Sequence, residues 1–91
     1  KFIGNSKKQT FTYEIRLRNG KKEAVDLLLK DQYPVSTDKD MEVELLNASG
    51  ATINKETGVL TWKLNLKAGA TETIRISYSV KYPKDKNIIN L

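Results

Sequence analysis

Asp38, Asp40, Glu42 and Glu44 stand at every second position of the stretch PVSTDKDMEVE, residues 34–44, with Asp31 just upstream. Carboxylates at this density could hold a divalent cation or supply an acid and a base. A third reading is the wet face of a strand, and spacing decides among the three. Side chains on a strand alternate, so the four acids project to one side, opposite Met41, Val43 and Leu45. Successive carboxylates on that side lie about 6.5 to 7 Å apart, too far for neighbours alone to chelate one ion at about 2.3 to 2.6 Å. Further ligands would have to come from elsewhere, with Asp31 and Asn47 the nearby suggestions, and no Gly stands where an EF-hand loop turns sharply. The stretch reads as a solvated strand face, its charge partly offset by Lys30 and Lys39 and suited to an edge that must resist pairing. No metal and no cofactor is expected.

Other chemistry is excluded by residue type. The 91 residues contain no His and no Cys. That removes the commonest base at neutral pH, the thiolate nucleophile, Ser-His and Cys-His arrangements, disulfides and the usual zinc ligands. Carboxylate pairs at glycosidase distances, about 5 to 10 Å, arise trivially here, but a chain this short offers little cleft between them. The chain is read as no enzyme.

Basic residues are the next candidates. The net charge is +5 with 30% charged residues, a mild excess, and Lys7-Lys8 and Lys21-Lys22 are scattered pairs rather than a block. Arg16, Arg18 and Lys63 fall on outward rows of strands that would share a sheet in an immunoglobulin-like order. They are the candidate contacts for a glycan or polyanion. Arg75 and Lys81 would then lie on the other sheet, so no single stripe forms. Nucleic-acid binding wants a concentrated patch with exposed aromatics, and only Phe2 and Tyr33 lie outside the inward rows; no nucleic-acid partner is expected. Trp62 is in phase with Leu60, Leu64 and Leu66, which makes it core rather than a sugar platform. Asn47-Ala48-Ser49 matches a glycosylation acceptor and reads as a loop.

The elements that would position these residues follow a period of two. In TIRISYSVKY, residues 73–82, Ile74, Ile76, Tyr78, Val80 and Tyr82 alternate with polar residues without a break. TFTYEIRLR places Phe11, Tyr13, Ile15 and Leu17 inward, LTWKLNL places Leu60, Trp62, Leu64 and Leu66 inward, and EAVDLLLKDQ places Val25, Leu27 and Leu29 inward. Leu28 breaks the polar face of the last of these, as a residue near an edge or under a loop. MEVELL adds Met41, Val43 and Leu45.

Asn19-Gly20 has the chemistry of a tight hairpin between the first two long strands. Pro34 ends the next run. Gly50 and Glu56-Thr57-Gly58 bracket a short, weakly pairing ATIN segment, and Ala68-Gly69-Ala70 turns into the last long strand. Ile88, Ile89 and Leu91 could form a short closing strand. No window carries the i, i+3, i+4, i+7 pattern of a helix.

These signals predict an all-β, antiparallel two-sheet sandwich of the immunoglobulin or fibronectin-III kind over residues 1–91, with six to seven strands, no helix and a barrel as the alternative. A chain of this size buries roughly 60 to 65% of its unfolded surface in a single core. No run of 18 apolar residues exists, so no helical membrane span is expected. The opening KFIGNSKK lacks an initiator Met and reads as the start of a fragment from a longer parent.

The runs RNGKKEAVDLLLKDQYPVSTDKDMEVELL and KETGVLTWKLNLKAGATETIRISYSVKYPKDK resemble the C-terminal conserved domain of the bacterial mucoidy inhibitor A family, whose function is unknown. DQYPVS, TGVLTW and YSVKYPKDK carry the resemblance. It implies a longer parent with a coiled-coil-rich region upstream, no catalytic residues to carry over, and a cell-envelope setting, periplasm or surface, with the cytoplasm as the alternative. Thr57 to Val80 is also similar to immunoglobulin-like repeat modules of bacterial surface proteins, with Ala68-Gly69-Ala70 where those modules place Pro-Gly-Glu.

The function expected from all this is a non-catalytic structural or interaction module. Its partner would be another protein or another segment of the parent chain, met at an exposed sheet edge. The expected edges are the strand of Asp38 to Glu44 and the terminal strand near Ile88. The oligomeric state is left open by the sequence.

Overall fold

The computed structural model describes residues 6–83. Phe2 and the closing strand expected at Ile88, Ile89 and Leu91 lie outside them. Six strands run in chain order: β1 (Ser6–Arg18), β2 (Val25–Gln32), β3 (Glu42–Asn47), β4 (Thr52–Asn54), β5 (Val59–Leu66) and β6 (Thr71–Pro83). No helix occurs among the described residues. The strands form two antiparallel three-stranded sheets, ordered β1-β6-β3 and β2-β5-β4. Their inner rows face each other as alternation demands. Leu60, Ile74, Ile76 and Val80 are fully buried. Removing each of these side chains from water contributes about 1.5 to 3 kcal/mol.

The longest ladder joins the two ends of the described chain. β1 pairs with β6 over their whole lengths, from Ser6 opposite Pro83 to Arg18 opposite Thr71. The hairpin expected at Asn19-Gly20 is therefore not formed. With β6 occupying one side of β1, residues 19–24 carry the chain across to the other sheet, where β2 pairs with β5.

Asn19 is 4% exposed and makes this crossing possible. Its Nδ2 donates to the carbonyls of Glu23 (2.7 Å), Leu66 (2.9 Å) and Lys67 (3.2 Å), and its Oδ1 accepts from the Lys21 amide (2.9 Å). Its backbone N–H donates to the Ala70 carbonyl, and its own carbonyl accepts from the Gly69 amide, both at 2.9 Å. One side chain thus ties the β1–β2 crossing to the β5–β6 turn. The side-chain amide does here what a hairpin turn would have done through its backbone.

The acidic stretch also departs from expectation. Glu42 and Glu44 lie on β3, but Asp38 and Asp40 precede it in a turn. The Asp40 amide donates to Asp38 Oδ1 (2.8 Å), the Asp38 amide to Ser36 Oγ (3.1 Å) and the Met41 amide to the Asp38 carbonyl (3.1 Å). Short polar side chains that capture nearby amides compete with a ladder, and here they win. β3 is an edge strand, as expected, with a register shift between Leu45 and Asn47, and Leu46 is exposed on its outward row.

Tyr33, which had no place in an inward row, is a core residue at 8% exposure. Its amide donates to the Gly58 carbonyl (3.0 Å). Gly58 has a φ of 78°, and a Cβ there would fall 2.2 Å from the Tyr33 carbonyl oxygen. The glycine serves both the β4–β5 turn and this close approach. Trp62, 3% exposed, donates from Nε1 to the Ala48 carbonyl (2.8 Å) and so fastens the β3–β4 corner to the core.

Candidate functional site

Arg16, Arg18 and Lys63 do not form one site. Arg16 and Arg18 lie on β1 opposite Thr73 and Thr71 of β6, whereas Lys63 lies on β5 in the other sheet, opposite Leu28 of β2. All three are exposed and on outward rows, so the sandwich separates them. The sheet mates of Arg16 and Arg18 are Arg75 and Lys81, the residues expected on the opposite sheet. The error follows from assigning β1 to an immunoglobulin-like order. In this protein β1 pairs with β6.

The outer face of the β1-β6-β3 sheet is polar and largely self-satisfied. Arg75 pairs with Glu14, its Nε donating to Oε2 at 3.0 Å and its Nη2 to the same oxygen. These hydrogen bonds, then the guanidinium charge, with a smaller contribution from Arg16, hold the Glu14 carboxyl below the usual carboxylate range. The hydroxyls of Thr12 and Ser77 bond across the ladder at 3.0 Å. Further along the sheet, Lys8 stands opposite Lys81, and Lys81 opposite Glu42.

The two sheets meet at one side through Tyr13, whose hydroxyl donates to Asp31 Oδ2 at 3.4 Å. Partial burial, then the Asp31 charge, raises the Tyr13 phenol. Asp31 is thereby committed to the β1–β2 side and not to the acidic turn. No group of three or more His, Cys, Asp or Glu side chains among the described residues is placed to hold a metal ion.

A basic end is the feature that sequence reasoning missed. Around Asn19 the backbones of Arg18, Lys21 and Lys67 converge, with Lys22 next in sequence, and all four side chains are exposed. Arg16 stands one outward position further along β1. The only signal in the sequence was Lys21-Lys22 beside Asn19, and nothing local announces that Lys67 joins them from 48 residues away.

The β2-β5-β4 sheet offers an open depression of about 470 Å³ lined by Asp26, Leu27, Leu28, Lys63, Leu64 and Asn65. Leu28 is 56% exposed within it, on the edge strand β2. Asn65 donates to Asp26 Oδ1 at 2.8 Å, which uses the depression's carboxylate internally.

Among the described residues four sheet edges remain. β4 is three residues long, β3 six with a bulge, β2 eight and β1 thirteen. β1 contains no Pro and no register shift. Among the described residues its second side has no strand partner. Among the described edges it is the longest template for main-chain pairing.

Residues 1–84 match a family described as a domain of unknown function, DUF4139, and the chain belongs to that family. No curated protein and no solved structure matches the chain.

Proposed function

We propose that this DUF4139 member is a non-catalytic interaction module that binds protein through a sheet edge, with β1 as the principal contact. The observation that carries the reading is the edge itself: thirteen residues of ladder, without a register shift and free of Pro, beside edges of eight residues, of six with a register shift and of three. Edge pairing supplies one main-chain hydrogen bond per residue or so and needs no pocket, base or nucleophile. This suits a chain without His or Cys. The resemblance to the mucoidy inhibitor A domain supports a bacterial cell-envelope setting and a longer parent whose other segments are available partners. The likeness to immunoglobulin and fibronectin-III modules is one of layering, two facing antiparallel sheets, since the pairing of β1 with β6 sets the strand order apart.

The test is site-specific photo-crosslinking in cells that make the protein, from Thr12 at the middle of β1 and from Lys63 at the middle of the opposite sheet. Protein adducts from Thr12 and none from Lys63 support the reading. Equal capture from both positions, or none from either, sinks it.

The basic end favours a second reading, binding of an acidic glycan or polyanion at Arg18, Lys21, Lys22 and Lys67 in place of Arg16, Arg18 and Lys63. Retention on dextran sulfate that falls with salt, is lost on reversing Lys21, Lys22 and Lys67 and survives Lys63→Glu is its signature.

A further inference from the structure

We propose that β1 pairs antiparallel with β1 of a second copy of this chain, about a two-fold axis at Phe11, to join two three-stranded sheets into one of six. The inference rests on the edge-binding reading above and names the partner. It is carried by the fit of β1 to itself.

Parity limits the registers. From Phe11 onward the odd-numbered β1 residues lie on the core side and the even-numbered ones are exposed on the other, so a continuous sheet requires odd opposite odd. Only two-fold axes passing through a residue meet that condition. An axis at Thr12 sets Lys8 against Arg16, one at Tyr13 sets Lys8 against Arg18, and one at Glu14 sets Glu14 against itself. Each places like charges directly opposite, which disfavours pairing. An axis at Ile15 allows Glu14 to face Arg16 but pairs only Thr12 to Arg18. An axis at Thr10 pairs Ser6 to Glu14 and brings no opposite charges together.

The axis at Phe11 pairs Ser6 through Arg16 and has no like charges opposed. Thr10 then faces Thr12 of the second copy, and Lys8 faces its Glu14, twice per dimer. Lys8 gains most, because within its own sheet it stands opposite Lys81. The acid arrives already fixed by Arg75. On the inner row Phe11 meets Phe11. Each Phe11 is stacked on its own Tyr78 with centroids 5.2 Å apart, so four rings line up across the junction. Half-buried Phe11 and exposed Tyr13 lie along the edge where the second copy would cover them. Lys8, Arg16 and Arg18 guard β1 against mispaired registers, and the Phe11 register is the one with the longest overlap that they permit.

Sedimentation velocity of the chain from micromolar to millimolar concentration, with Lys8→Glu, Glu14→Lys and the double exchange, tests this. A concentration-dependent dimer is expected in the parent chain. Each single reversal should weaken it by about tenfold or more, since the pair recurs twice and changes from attraction to repulsion. The double exchange should recover the parent affinity to within about threefold, and Lys63→Glu should leave it unchanged. Circular dichroism melts verify that each variant is folded, and Lys8→Glu leaves the Glu14–Arg75 pair intact. A monomer throughout, a dimer indifferent to Lys8→Glu, or a double exchange that fails to rescue overturns self-pairing. If Thr12 nonetheless captures a different protein in cells, edge binding survives with another partner; if it captures nothing, both fall.

Discussion

Replacing Asn19 by Asp changes one NH₂ to an oxygen, and the structure makes that exchange severe. Nδ2 faces three carbonyl oxygens at 2.7, 2.9 and 3.2 Å in a site 4% exposed. A carboxylate there sets negative oxygen against three partial negatives and leaves the carbonyls without their donor. An uncompensated charge of this kind costs about 3 to 5 kcal/mol. A domain of this size has roughly 5 to 14 kcal/mol in total. Asn19→Ala removes the donor without adding charge and costs about 1 to 3 kcal/mol through unsatisfied carbonyls. The pH dependence separates the two variants. The new carboxyl has its folded pKa raised above the unfolded value of about 3.9, because burial and the carbonyls disfavour its charge. The folded state then binds the extra proton, so stability rises as pH falls through the interval between the folded and unfolded values. Once protonated, the acid can donate to one carbonyl as the amide did. Urea melts at pH 7 and near pH 3.5 should put Asn19→Asp well below Asn19→Ala at the higher pH and close to it, or above it, at the lower. If Asn19→Asp stays within about 1 kcal/mol of the parent at pH 7, the donor role assigned to Nδ2 is wrong.

Gly58→Ala should destabilise by more than about 2 kcal/mol, since it combines a positive φ with a methyl carbon driven into the Tyr33 carbonyl, and a shift in the denaturant midpoint measures it. Trp62→Phe should cost about 2 kcal/mol through the lost bond to Ala48 and the void beside it, read by the same melts. In the unsubstituted 91-residue chain this single Trp, buried, should emit in the blue until the β3–β4 corner opens. The lowered Glu14 carboxyl means that the Arg75 pair stabilises above the unfolded carboxylate pKa and is lost as pH falls through the folded one. Carboxyl carbon NMR should find Glu14 titrating below the ordinary glutamate range, and Arg75→Gln should return it to that range.

The strands were legible because alternation is a local signal that survives without knowledge of partners. The five longer strands appear where period two places them, β3 without Asp38 and Asp40, and the short β4 falls between its flanking glycines; β1 and β6 are longer than their apolar runs require because each supports the other. Pairing was not legible, since every alternating strand presents the same pattern to every other. Asn19-Gly20 illustrates the difficulty: the dipeptide favours a hairpin, but the burial of the Asn side chain against residues 66 and 67 decides the outcome. Tyr33 went unassigned because what admits it to the core is the missing side chain of Gly58, 25 positions on. The triad of Arg16, Arg18 and Lys63 failed for the same reason as the hairpin. Its members were correctly read as outward, and their sheet was not a property of their neighbours in sequence.

That distinction bears on which surface carries function. A charged side chain on an outward row is solvated by default and gains little from an ion pair, so the presence of Arg or Lys there selects no ligand by itself. An unpaired ladder differs, because its N–H and C=O groups keep fixed spacing and direction whatever the side chains are. Of the four edges, β3 and β4 are limited by a bulge and by length, and β2 carries its Leu28 outward in a depression whose carboxylate Asn65 already engages. β1 alone combines length with charges that sort registers instead of forbidding all of them. Its Glu14, held by Arg75, gives Lys8 a fixed counter-charge in one register and meets itself, Arg16, Arg18 or neutral residues in the others. A strand built only to resist association would place its lysines where no register could accommodate them. β1 leaves one long register open, which makes its charge pattern an address as well as a guard.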